Sequence, residues 1–228
     1  MKAPDSRAGI LAFVQARTNS ARFPGKVLAP LAGRPMVAHV LERCAEALGR
    51  DAVLLLTSTL QGDDGLAQAV SSMGYTVFRG DLDDVVLRFQ QCLHAHPCDW
   101  FVRISGDSPL IDPALLRAIA ERRAPSVDLV SNVQVRSFPA GQSVEVLRSE
   151  RFLEIDSAKL TAAEREHVTP YYYSHPDMFR IRSIVSRDTA LGQLRQVVDT
   201  PGDLEAVRAL MAAGKQPAYA DLIAGDRA

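Results

Sequence analysis

Cysteine is scarce in this 228-residue chain: Cys44, Cys92 and Cys98 form no CxxC pair and leave one residue over. That count excludes the disulfide framework of a small secreted protein and suits a reducing cytosol. None of the three sits in a cationic turn, so each reads as a small buried hydrophobe rather than a reactive thiol. Excess charge of one sign is also missing. Lys and Arg total 26 against 27 for Asp and Glu, a net charge of −1, which leaves no overall field to attract nucleic acid or a membrane surface. Any anion site must therefore be local. No apolar run approaches the ~20 residues of a membrane span, and the opening MKAPDSRAG has no apolar signal segment. There is no GxGxxG, so a dinucleotide cofactor is not expected. His94 and His96 have no further ligand at zinc spacing. The chain carries no internal repeat and no low-complexity tract, and its last residues, AGDRA, read as a frayed tail. The expectation is a soluble cytoplasmic protein of one domain, spanning 1–228.

What is present is an alternation of strands and helices. The run ILAFVQA at 10–16 is apolar without a break, the pattern of a strand buried on both faces. AVLLLTS (52–58), TVFRG (76–80), WFVRIS (100–105) and SVDLVSN (126–132) are further strands. Helices are expected at 35–48, 63–73, 84–95 and 113–123 between them. Such an order predicts a parallel sheet with helices on its faces. The rhythm then changes. Residues 133–148, VQVRSFPAGQSVEVLR, read as two alternating strands around a Phe-Pro-Ala-Gly turn, a hairpin excursion. Helices near 149–158 and 161–175, strands at 179–185 and 196–199, and a helix from 201 to about 213 are expected after it.

Three stretches carry chemistry. QARTNSARFPGK, residues 15–26, brings Arg17, Arg22 and Lys26 together after the first strand, where open α/β sheets bind ligands. Taken alone it is either a cradle for several phosphates or a solvated cationic loop. It is no Walker A loop, because position 20 is Ser and Lys26 is followed by Val27. RISGDSPLIDP (103–113) sets Asp107 in a turn at the end of the fourth strand, either a Mg²⁺ ligand or an ordinary Asx turn, while Asp112 reads as the N-cap of the next helix. VVDTPGDLEAV (197–207) caps its helix with Thr200 and Pro201 and leaves Asp199 facing the crevice.

These stretches, with FRGDLDDVVLRF (78–89) and EREHVTPY (164–171), run in order from about residue 10 to about 210. The ordered set resembles the cytidylyltransferases that activate sugar acids: the SpsF-like branch most closely, and also the acylneuraminate and CMP-Kdo synthetases. The resemblance implies an α/β, Rossmann-like three-layer nucleotidyltransferase fold of the nucleotide-diphospho-sugar transferase type, mostly parallel with an extra β-hairpin. It implies transfer of CMP from MgCTP to a small acidic acceptor, with pyrophosphate released, in surface polysaccharide or related biosynthesis. Arg17, Arg22, Lys26 and Asp107 would be catalytic, and Asp107 and Asp199 would hold Mg²⁺. Gln15, Ala16, Ser20, Thr57, Ser58, Asp84, Arg88, Ser105 and Gly106 would join the three cations around the nucleotide. Asp84 and Arg88 have a plainer reading, a helix start with an exposed i,i+4 pair. Ser143, Glu145, Glu166 and His167 would meet the acceptor. Relatives carry an acid where this chain has Ser143, in Gln142-Ser143-Val144-Glu145-Val146, so the acceptor's identity is the open point. The resemblance also suggests a homodimer through the 133–148 hairpin. Two rivals stand beside this reading. One is a glycosyltransferase using a nucleotide sugar, for which Asp81-Leu82-Asp83 offers a D-x-D; the other is a nucleotide-binding module without activity.

Overall fold

A computed structural model describes residues 9–214 and 218–224; the tail expected at the C-terminus falls outside them except for Ala224, as does all but the last residue of MKAPDSRAG. In chain order the strands are β1 (Ile10–Gln15), the two-residue ribbon β2 (Pro30–Leu31) with β3 (Arg34–Pro35), β4 (Val53–Ser58), β5 (Thr76–Gly80), β6 (Trp100–Ser105), β7 (Leu129–Ser131), β8 (Glu145–Arg148) and β9 (Ile181–Ser183). The helices are α1 (Met36–Leu48), α2 (Asp64–Ser72), α3 (Val85–Ala95), α4 (Pro113–Ala120), α5 (Ser149–Leu153), α6 (Ala162–His167), α7 (Pro170–Ser174) and α8 (Pro201–Ala212). Seven strands form one sheet in the order β5-β4-β1-β6-β8-β7-β9. All neighbouring pairs run parallel except those of β8, which is antiparallel to both β6 and β7. The expected mostly parallel α/β sheet is what forms.

Why β1 is apolar throughout follows from its two covers. Ile10, Ala12 and Val14 pack into the core beneath α1, α2, α4 and α8; Phe13 packs on the other face with Phe89 of α3, Phe101 and Phe152. Phe13 and Phe101 stack with centroids 5.2 Å apart, and Phe101 meets Phe152 edge-on at 5.0 Å. With no face left to water, alternation disappears from the strand.

The chain beyond β7 departs from expectation. No hairpin forms over 133–148: residues 145–148 are β8, but its partners are β6 and β7, and 133–144 holds no strand. Side chains take the place of a ladder there. Asn132 donates Nδ2–H to the Gln142 carbonyl at 2.7 Å and accepts the Val144 N–H at 2.8 Å. Buried Gln142 donates to the Leu110 carbonyl and accepts from Asp112 N–H. The strand expected at 196–199 is likewise absent; its backbone bonds to loops, Gln196 N–H to Ala140 and Val198 N–H to Asp107. The helix expected over 161–175 is broken in two at Val168, whose φ is +67°, and the strand expected at 179–185 is trimmed to β9. Among the described residues no helix is long and apolar enough to cross a membrane.

Candidate active site

The carboxyl ends of β1 and β6 lie side by side, with Gln15 registered against Ser105. Gly106 permits it: its N–H bonds the Gln15 carbonyl at 2.8 Å, and a Cβ there would stand 2.7 Å from that of Ala16. Beyond β1 the chain loops back so that Gly25 N–H reaches the Thr18 carbonyl at 2.8 Å. Gly25 takes φ +71°, the left-handed region that glycine enters freely, and this turn delivers Lys26 to the cleft. A cavity of about 410 Å³ opens over these ends.

At one pole of the cavity two distant carboxylates converge on one ammonium. Lys26 Nζ lies 3.1 Å from Asp107 Oδ2 and 3.1 Å from Asp199 Oδ1, and donates to the Val198 carbonyl at 2.7 Å. Arg22, largely exposed, reaches Asp199 Oδ1 at 3.0 Å, and Arg195 takes the other oxygen at 2.7 Å. Burial pushes the Asp199 carboxyl up, but hydrogen bonds from Lys26 and Arg195 outweigh it and hold the group below the usual carboxylate range. Asp199 is positioned by the start of α8. Thr200 and Asp203 form a capping box, with Pro201 in the first turn as expected, and Asp203 also accepts the Asp199 N–H at 2.9 Å. Asp112 caps α4 as expected, accepting the Ala114 N–H.

At the other pole Arg17 pairs with Glu166 of α6 at 2.8 Å, and His167 lines the cavity beside it. Arg88 of α3 is 2% exposed and lines the cavity, so it is no member of an exposed pair. Its Nη1 bonds the Asp81 carbonyl, while its Nε is buried without a partner. Burial and the nearby Arg17 lower its pKa to about 10, which leaves it charged at neutral pH. Asp84 does what the plainer reading expects, capping α3 at Leu87 N–H, and does not line the cavity. Asp81 caps the same turn, accepting N–H from Asp83 and Asp84, so the D-x-D is a turn.

Of the residues expected at the nucleotide, Gln15, Ala16, Arg17, Ser20, Arg22, Lys26, Arg88, Ser105 and Gly106 line the cavity together with Asp107 and Asp199. Thr57 and Ser58 do not; both are buried at the end of β4. Glu145 and Ser143 do not line it either. Glu145 is 1% exposed, with one oxygen taken by Arg103 at 2.6 Å and the other by the Tyr173 hydroxyl at 2.6 Å. Two residues escaped sequence reasoning. Arg103 lines the cavity from within β6, and its signal was a cation inside an otherwise apolar strand. Asp63 is 2% exposed and ties the loop to β4: Oδ1 accepts Thr18 N–H and Oγ–H at 2.7 Å each, and Oδ2 accepts from Ser58. No signal in sequence separates Asp63 from a helix-start aspartate.

Comparison with known proteins accords with this geometry. The family model described as Cytidylyltransferase matches residues 11–218. The spore coat polysaccharide biosynthesis protein SpsF of Bacillus subtilis is 32% identical over 91% of this chain and 89% of its own. A 3-deoxy-manno-octulosonate cytidylyltransferase of Anaeromyxobacter sp. (strain K) is 28% identical over 90% and 98%. A solved cytidylyltransferase from Leptospira borgpetersenii superposes with a TM-score of 0.87 at 25% identity, covering 94% of this chain and 92% of its own.

Proposed function

The chain belongs to the cytidylyltransferase family, CTP-dependent nucleotidyltransferases, and on that premise we propose that it transfers CMP from MgCTP to a hydroxyl of a sugar acid in polysaccharide biosynthesis, within one catalytic domain spanning 1–228. The observation that carries the site assignment is the Lys26 ammonium held between Asp107 and Asp199. It marks a position built for positive charge at the strand ends, with Arg17 and Arg22 on the same loop.

In the reaction the acceptor oxygen attacks the α-phosphorus, the bond from that phosphorus to the β-phosphate bridge breaks, and the acceptor's proton is released. Negative charge grows on the phosphoryl oxygens and the departing pyrophosphate, so positioned countercharge serves better than a covalent nucleophile. Arg22 and Lys26 supply it to the β- and γ-phosphates, and Arg17 exchanges Glu166 for phosphate oxygen. Arg88, buried and charged, holds the nucleoside end together with Gln15, Ala16, Ser105 and Gly106, and Ser20 borders the phosphates. Thr57, Ser58 and Asp84 act from behind by shaping β4 and α3. Glu166 and His167 meet the acceptor; Glu145 acts on it through Arg103, and Ser143 brings a hydroxyl to its side in place of the acid of relatives.

Asp107 and Asp199 fit Mg²⁺. They already converge on a cation, and among the described residues no further His, Cys, Asp or Glu completes an all-protein cage, as suits an ion that keeps water and phosphate oxygens. When bound, the metal would neutralise phosphoryl charge. A homodimer through the segment around 133–148 fits the exposed Val135 on that loop, and light scattering at the mass of two chains would bear it out.

A pyrophosphate-release screen of four NTPs against acidic and neutral sugars tests the reading. CTP with an acidic sugar should be the productive pair; release with another base, or with neutral sugars alone, would overturn it.

A further inference from the structure

On the sheet face that carries Phe13, Phe101 and Leu147, apolar residues give way to polar ones toward the cleft: Gln15 on β1, Arg103 and Ser105 on β6, and Glu145 on β8. Arg103 stands at the centre of that band. It is registered directly against Glu145, whose carboxylate takes Nη1 at 2.6 Å, and its Nε donates to Gln15 Oε1 at 3.0 Å. Glu145 is itself fixed by the Tyr173 hydroxyl at 2.6 Å, which lies 2.7 Å from Ser131 Oγ. The guanidinium is thus fixed at two of its three nitrogens, by half-buried Gln15 at Nε and buried Glu145 at Nη1. Its other terminal nitrogen, Nη2, has no partner among the described residues, and the side chain, 18% exposed, lines the cavity.

A guanidinium pinned at two nitrogens presents the third, Nη2, in a set direction, ready to donate to one oxygen of an anion. Its own charge is already matched by Glu145, so it offers directed N–H donors without the net positive charge a polyphosphate needs. Gln15 and Ser105, placed at the nucleoside, flank it and add no competing charge. One directed donor of that kind fits a single carboxylate rather than a polyphosphate. We infer that Arg103 receives the acceptor's carboxylate through Nη2, and that Glu145 and Tyr173 are positioning residues that hold it there. The inference rests on the acidic-acceptor reading and narrows it: the carboxylate must be free, and it must lie deep against β6.

The test is calorimetric binding of 3-deoxy-manno-octulosonate and N-acetylneuraminate, and of their methyl esters, to the full chain with CMP present. At least one acid should bind the wild type more tightly than its ester, and Arg103→Gln should weaken the acid by roughly 10- to 100-fold, the weight of a hydrogen bond to a charged group, while changing the ester and CMP far less. The double variant Arg103→Gln with Glu145→Gln removes both charges and guards against a folding defect from an unpaired buried carboxylate; it should behave as the single one does. Glu145→Gln alone should narrow the gap between acid and ester. If neither acid binds, if acid and ester bind alike, or if Arg103→Gln weakens CMP rather than the acid, the inference falls. Pyrophosphate release from MgCTP with the same acids judges the reading beneath it separately: turnover of an acid that ignores Arg103 keeps the reading and removes only the inference.

Discussion

Lys26 satisfies three acceptors at once, two of them carboxylates more than 80 residues from it in sequence, one beyond the end of β6 and one just before α8. An ammonium so placed sets the spacing of Asp107 and Asp199, and in the proposed reaction it exchanges one of these partners for an oxygen of the leaving pyrophosphate. Lys26→Ala should therefore cut the rate of pyrophosphate release by about 10²-fold, the loss typical of one stabilising donor, and Asp107→Asn by at least as much. Wild-type rates in both would dismiss the mechanism. The same geometry predicts a gain. With Lys26→Met the two carboxylates lose the one cation they share, Asp199 keeping only Arg22 and Arg195, so Mn²⁺ alone, titrated without nucleotide, should bind more tightly than to wild type. Equal affinity would mean that Lys26 does not hold the cation position. Arg17, Arg22, Lys26, Asp107 and Asp199 were legible in sequence because each follows an apolar run and a turn. Arg103 and Asp63 were not, because a cation within a strand and an acid before a helix look structural until their partners across the sheet are known.

At the scale of elements, the cationic loop is held less by its own sequence than by Asp63, at the end of the short 3-10 turn Gln61–Asp63 that leads into α2. Its two oxygens gather four donors from Thr18 and Ser58. Asp63→Ala strands those donors and should cost about 1–3 kcal/mol in denaturant melts, with a rise in the CTP KM larger than the fall in kcat. Asp63→Asn retains an acceptor and should lose less. A variant that melts as wild type and binds CTP normally would show the tether to be idle. Most helices and the first four parallel strands were legible because their apolar periods are unbroken. The 133–148 segment was misread as a hairpin because its apolar and polar residues do alternate. Instead Asn132 satisfies the backbone of Gln142 and Val144 from the side, and the Gln142 side chain reaches across to the backbone of Leu110 and Asp112; such partners lie outside any local pattern.

The whole molecule is nearly neutral, with 26 cationic against 27 anionic side chains, yet its acids are unevenly placed. Asp63, Asp128, Asp199 and Asp203 all have pKa values held below the ordinary carboxylate range. Burial opposes this in each case and is outweighed: by Ser58 and Thr18 at Asp63, by Arg180 at Asp128, by Lys26 and Arg195 at Asp199, and by Arg195 with backbone N–H groups at Asp203, which reaches about 2. A carboxylate with a lower pKa folded than unfolded binds fewer protons in the native state, so stability rises with pH until the unfolded chain has also ionised. The contribution is complete above roughly pH 5, and it is lost as pH falls through about 4 toward 2. Urea melts between pH 2 and 7 should accordingly show a plateau from 5 to 7 and a steep decline below 4. Because Asp63 orders the cationic loop and Asp199 lines the cleft, CTP binding should weaken over the same interval as global stability. Stability that held or rose as pH dropped from 4 to 3 would contradict the ionised native state assigned to these four groups.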